Sequence, residues 1–328
     1  MSSVQSLKSG IVTCILTGIL YVFSLSVSLA QTQQRQKVIF DCDLGDDIDD
    51  AYALALLVAS PELDVLGITT CYGRTDDRAR LACQLLYDWG LDSIPVAVGR
   101  DTRTMNERAN WYADQFHYAK GFIHKRPVAQ PAADFIIEQL RKYPGEVTII
   151  SVGPVQNMAD VVQKDPGAML LAKQVVAMFG SFYVGYNGSP TPDAEWNVAV
   201  DPAAAKQFVS SDVKIKYAGL DVTTFIKADK AYRERLALRR SPMTDALTGL
   251  QNLWGYERDP TLFDAVAIGM VLWPDLFKTQ QATIEVDDKG FTRLVQGQKA
   301  NAEIGTYVNT AEFLKRLMKV YLQQNLRR

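Results

Sequence analysis

The 328-residue chain carries only two histidines, His117 and His124, and four cysteines. They form no zinc motif, and there is neither a G-x-S-x-G nucleophile turn nor a phosphate-binding glycine loop. The common signatures of zinc hydrolysis, serine hydrolysis and P-loop nucleotide chemistry are therefore missing. Basic runs are missing too. The formal charge is only −2, which speaks against nucleic acid as the main partner. No proline- or glycine-rich linker and no internal repeat interrupts the chain, so one domain is expected. Cys14 lies in an N-terminal apolar run. The other three, Cys42, Cys71 and Cys83, are odd in number and set among apolar residues, so they read as core residues and not as a disulfide framework.

One long apolar run is present, over residues 11–30, and Lys8 is the only charge before it. Small residues in Ser28-Leu29-Ala30 suit a cleavage site, so residues 1–30 read as a secretory signal peptide and the mature chain as starting near Gln31. The location expected is secreted or periplasmic, with membrane contact only through this segment. An uncleaved anchor is the alternative, because the run is near spanning length. Without Lys8 the formal charge becomes −3, still near neutral.

What the chain does have is acid in one place. Residues 38–51 read V-I-F-D-C-D-L-G-D-D-I-D-D-A, with Asp41, Asp43, Asp46, Asp47, Asp49 and Asp50 inside ten positions. Val38, Ile39 and Phe40 predict a buried strand, Gly45 a tight turn, and the apolar pattern of residues 51–59 a helix opening near Asp49. Two carboxylates about 4 Å apart repel by roughly 4 kcal/mol at an effective dielectric near 20. One or two such residues are explained by capping of a solvated turn; six beside a buried strand call for protonation or a divalent cation. Oxygen-only ligands point to calcium or magnesium.

Strand and helix signals alternate downstream: strand 63–70, helix 76–89, strand 94–98, helix 131–143, strand 146–151, strand 174–179 and strand 213–220. That rhythm predicts an α/β fold, a single domain over residues 31–328 with a mainly parallel, Rossmann-like sheet flanked by helices. Ligands in such sheets bind beyond the carboxyl ends of the strands, where residues 41–50 and 70–74 fall. Residues 101–127 have no period and hold Trp111, Tyr112, Phe116, Tyr118 and Phe122 with both histidines, which suits either a lid over a site or a self-packed excursion. Helices are expected over 224–240 and 244–254, and another opens after Pro260. Asp264 is a lone acid in that last, apolar helix; burial unpaired would be costly, so a cation or strong donors should sit beside it. A hairpin over 283–295 turning through Asp287 to Gly290 and a helix over 310–324 close the chain.

Three dispersed motifs share one resemblance. They are the strand ending in D-C-D-L-G-D-D-I-D-D-A, the turn Gly153-Pro154-Val155-Gln156-Asn157, and the block G-S-P-T-P-D-A-E-W-N from Gly188 to Asn197 with Asp201-Pro202-Ala203-Ala204 after it. Together they resemble the inosine-uridine-preferring nucleoside hydrolases, in a bacterial form with two residues added between Gly45 and the final Asp-Asp pair. The resemblance implies a nucleoside hydrolase fold and hydrolysis of the N-glycosidic bond of ribonucleosides, with calcium as cofactor and a small-molecule nucleoside as partner; a homo-oligomer is left open. It implies Asp43 as catalytic base and as a metal ligand beside Asp50, Asp264 and the Val152 carbonyl, with Asp47 or Asp49 in reserve. Substrate contacts fall to Asp49, Glu195 and Asn197. Three contacts rest on departures from the family pattern: Arg74 and Ser189 replace asparagines, and Asn187 is the nearby substitute for the latter. Phe263 stands where the family places the histidine that protonates the departing base; His117, His124 and Tyr112 are the candidates to replace it. Two other classes are compatible with parts of the sequence. An exported nucleoside- or sugar-binding protein without turnover would tolerate Phe263. A magnesium-dependent phosphatase of the haloacid dehalogenase type would use the D-x-D strand, but Gly45 stands where that motif wants Thr or Val.

Overall fold

The structure is a computed structural model that describes residues 34–297 and 300–327. The signal-peptide reading of residues 1–30 lies outside the described residues. From Arg35 onward the chain forms one compact unit.

In order the elements are β1 Gln36–Cys42, α1 Asp49–Ala59, β2 Leu63–Thr70, α2 Thr75–Asp88, β3 Val96–Val98, α3 Glu107–Asn110, a 3-10 turn Asp114–Ala119, α4 Ala132–Lys142, β4 Thr148–Ser151 and α5 Gln156–Lys164. There follow α6 Pro166–Met169, β5 Gln174–Met178, a 3-10 turn Tyr186–Gly188, α7 Trp196–Ala199, α8 Pro202–Val209, β6 Ile215–Ala218 and α9 Leu220–Thr223. The last are α10 Lys230–Ala237, α11 Pro242–Gly255, α12 Phe263–Leu272, a 3-10 turn Pro274–Leu276, β7 Phe277–Val286, β8 Thr292–Val295, β9 Ala302–Val308 and α13 Thr310–Gln323.

The strands form one sheet in the order β3-β2-β1-β4-β5-β6-β9-β7-β8. Its first seven members pair in parallel, and β7 joins β9 and β8 antiparallel. β1 is central. Its apolar residues alternate between two cores: Val38, Phe40 and Cys42 join one face, Ile39 the other. A strand covered on both faces has no polar side to show, hence the continuous apolar run. Strand order reverses at β1, with β2 on one side and β4 on the other. Crevices at such switch points are where α/β sheets bind ligands. The acid run leaves β1 at that end, and Val152 follows β4 beside it.

α12 is apolar nearly all round and buried from Asp264 to Val271. Such a helix belongs inside a domain; it packs against α1, which brings its one acid to the crevice. The helix expected over 224–240 is a correction. Only Lys230–Ala237 is helical, capped by Asp229, whose side chain accepts from the Tyr232 N–H. Before it the main chain runs extended: Ile226 and Ala228 bond to Leu262 and Pro260. β9 is an addition to the expected list; it inserts between β6 and the hairpin.

Candidate active site

Two glycines allow the acid loop its course. Gly45 has φ +120°, and a Cβ there would lie 2.4 Å from the Phe116 ring. At Gly153, after β4, a Cβ would stand 2.7 Å from Asp43 Oδ1. The loop is braced from the aromatic segment: Gln115 Nε2 donates to the carbonyls of Gly45 and Asp47, at 2.9 and 2.8 Å.

Asp49 and Asp50 form the first turn of α1, where the helix end favours negative charge. Asp264 sits in the first turn of α12, and its N–H donates to Asp49 Oδ2 at 3.3 Å. One carboxylate oxygen from each of Asp49, Asp50 and Asp264 lies within 4.8 Å of the other two, and all three residues are buried. Asp50 Oδ1 has no hydrogen-bond partner. Burial, then repulsion from a neighbouring aspartate (Asp47 on Asp49, Asp43 on Asp50, Asp49 on Asp264), pushes all three carboxyls well above the usual carboxylate range. Burial lifts Asp43 to about 7 against the pull of Arg78, and raises Asp47.

Arg78 was not singled out from the sequence. Its side chain is 2% exposed. Nε donates to the Tyr72 carbonyl at 2.7 Å, Nη1 to the carbonyls of Asp43 and Leu44, and Nη2 to Asp46 Oδ2 at 3.2 Å. One guanidinium thus fixes the main chain of the acid loop and balances part of its charge. A signal was available: Arg78 falls on the stripe of α2 that buries Leu81 and Ala82, one turn on, and Leu85, two turns on.

The opposite wall comes from the segment after β5. Glu195 caps α7: Oε1 accepts from the Asn197 N–H at 2.8 Å and Oε2 from the Gly180 N–H at 3.0 Å. Burial outweighs these bonds and lifts its carboxyl to about 7. Asn197 Nδ2 donates to the Val152 and Met178 carbonyls at 2.8 and 3.0 Å, tying together the ends of β4 and β5. Tyr186, Trp196 and Phe263 supply an aromatic side. The Trp196 N–H donates to the Tyr186 hydroxyl at 2.9 Å, and the Tyr186 and Phe263 rings meet edge to face at 6.0 Å.

These residues enclose a cavity of about 540 Å³, within the range of small-molecule sites. Asp43, Asp47, Asp49, Asp50, Val152, Glu195, Asn197 and Asp264 all line it, so the structure brings together eight positions singled out from the sequence. Asp49, expected as a substrate contact and as a reserve metal ligand, belongs to the carboxylate trio.

Three expected contacts, Arg74, Asn187 and Ser189, are absent from the lining. Arg74 turns to Asp77, with Nε 2.6 Å from Oδ2, and lies over the Tyr112 ring; Arg78 supplies the charge balance expected of it. Asn187 is exposed on a turn at φ +57°. The Ser189 hydroxyl is spent on the main chain of Thr191. Tyr186 occupies that wall instead. The three candidate acids are also elsewhere. His117 and His124 are exposed, His117 against Tyr112 and His124 against Tyr87 and Phe122. The segment over 101–127 lends the cavity one side chain, Arg108.

Comparison with known proteins agrees with this architecture. Residues 38–315 match the family model described as inosine-uridine preferring nucleoside hydrolase. A probable uridine nucleosidase 2 of Arabidopsis thaliana is 31% identical over 275 residues, covering 79% of this chain and 84% of its own. The non-specific ribonucleoside hydrolase RihC of Salmonella agona is 31% identical over 302 residues, covering 87% and 97%. Among solved structures, a plant nucleoside hydrolase superposes with a TM-score of 0.77 at 25% identity, over 88% of this chain and 99% of its own. A match this long, with the acid loop, the turn after β4 and the Glu195–Asn197 block converging on one crevice, places the chain in the inosine-uridine preferring nucleoside hydrolase family.

Proposed function

We propose that the protein hydrolyses the N-glycosidic bond of ribonucleosides to free base and ribose, using one calcium ion at the aspartate cluster. The observation that carries the cation is the unpartnered Asp50 Oδ1 within a buried carboxylate trio. An all-oxygen donor set suits a hard ion, and calcium tolerates irregular, many-ligand shells better than magnesium. Asp43, Asp50, Asp264 and the Val152 carbonyl would hold it, with Asp47 and Asp49 as further donors. When bound, the ion supplies positive charge that keeps these carboxylates ionised and acidifies a water.

Asp43 takes the proton of the attacking water, a general-base role worth roughly 10²–10⁴-fold. The Glu195 carboxylate and the Asn197 Oδ1, held rigidly by main-chain bonds, present acceptors to the two ribose hydroxyls. The surrounding carboxylates favour the positive charge that develops on the sugar as the bond to the base breaks. The activities named for the relatives, on uridine and on ribonucleosides without restriction, support this substrate class. A second reading, a nucleoside-binding protein without turnover, rests on Phe263 in the cavity wall where an acid is expected. Chromatographic detection of free base from a ribonucleoside panel separates the two: binding without release of any base favours the second. The apolar run of residues 11–30 supports an exported enzyme, secreted or periplasmic.

A further inference from the structure

Among the described residues lining the cavity, Arg108 is the one cationic side chain, and none is a histidine. Its guanidinium lies 4.0 Å from the Trp111 ring centre. The nearest carboxylate, Asp46 Oδ2, is 3.9 Å away, beyond hydrogen-bond distance, and already accepts from Arg78. Arg108, 47% exposed, therefore lines the cavity without a hydrogen-bond partner among the described residues, its guanidinium held over Trp111. The short helix bearing it is anchored by Asn106, whose Oδ1 accepts from the Ala109 N–H at 2.8 Å and the Tyr72 hydroxyl at 3.2 Å. Tyr72 is itself at φ +59°, a costly conformation for a bulky residue. Its ring meets Trp196 edge to face at 5.8 Å. That chain of contacts links the arginine to the aromatic wall.

A guanidinium donates hydrogen bonds but releases no proton on the enzymatic scale. It cannot replace an acid, yet it can stabilise negative charge. Phosphate on the substrate is a poor match, because Asp46, Asp47 and Asp49 share the lining and would repel it. The charge to be matched must instead arise during reaction. We propose that Arg108 stabilises the departing base as an anion and is in this chain the residue behind the preference for oxo-bases, uracil and hypoxanthine over adenine, that the family's description carries. This rests on the hydrolase reading. Water oxygen bonds to C1′ as the C1′–N bond breaks. The bonding pair goes to the base nitrogen, the water proton goes to Asp43, and the base anion gains its proton from solvent after release. An amino-purine, which leaves most easily when protonated, is disfavoured beside a fixed cation.

The test is steady-state hydrolysis of uridine, inosine, adenosine and nitrophenyl riboside by the full-length calcium-loaded enzyme and by its R108M and R108K variants. Methionine keeps the apolar stem on Trp111 and removes the charge. Wild type is expected to turn over uridine and inosine faster than adenosine. R108M should lower kcat on uridine and inosine on the order of 10²-fold, as loss of a charge-stabilising donor does. On nitrophenyl riboside, whose leaving group is already a stable anion, the loss should be below about threefold. R108K should recover part of the uridine rate. Equal losses on all four substrates, or a change confined to KM, would overturn the proposal. So would wild-type preference for adenosine. Wild type inactive on every substrate would instead refute the hydrolase reading itself.

Discussion

Arg78→Met removes the charge that organises the acid loop while keeping an unbranched apolar stem. Four acceptors lose their donor: the carbonyls of Tyr72, Asp43 and Leu44 and one oxygen of Asp46. Hydrogen bonds to charged groups contribute about 1.5–3 kcal/mol each, but these share one guanidinium and do not add. Breaking a buried pair by deleting one partner costs about 3–5 kcal/mol, and that is the loss expected. For a domain of this size about 1 kcal/mol corresponds to roughly 2–4 °C in Tm, so the variant should melt about 10 °C lower. Arg78→Lys keeps the charge but not the fork geometry and should fall between. Differential scanning calorimetry with calcium present reads both. A methionine variant within about 2 °C of wild type, against that scale, would show that Arg78 does not hold the loop.

Three further outcomes are expected. Asp264→Asn and Asp50→Asn should each weaken calcium binding at least about 10-fold by titration calorimetry, since affinity follows the count of charged ligands. In chelator, thermal stability should fall as pH rises from 5 to 7.5. Asp43 and Glu195, each lifted to about 7 in the fold, hold protons there that the unfolded chain releases above its ordinary carboxylate values, so the folded state is favoured below that window and loses the advantage through it; calcium should remove the Asp43 share of the slope. Intact mass of the protein from its native host should place the N-terminus near Gln31, and a retained Met1 would favour a membrane anchor.

The acid loop was legible because six aspartates beside an apolar strand have few other physical explanations. The parallel sheet was legible because runs such as Val38–Phe40 lack the alternation of a half-exposed strand. Asp264 stood out as an acid in an apolar helix. What escaped depends on direction rather than type. Arg74, the cap of α2, and Arg78 in its first turn are four residues apart, and only packing shows that the first turns to Asp77 and the second to Asp43 and Asp46. Asn187, Ser189 and Tyr186 share one short turn, and a left-handed residue at Asn187 leaves the tyrosine on the cavity wall. Arg108 lies in a segment without periodicity, so no pattern could aim it. β9 was hidden because its parallel partner β6 lies far from it along the chain and β8 intervenes between it and its antiparallel partner β7.

Base release by this protein should depend on a hard cation. Purified protein, stripped with chelator and then assayed on a ribonucleoside panel with and without added calcium, tests it most directly. Free base should form from uridine or inosine only when calcium is restored. No base from any nucleoside at saturating calcium, or full activity in chelator, would contradict it.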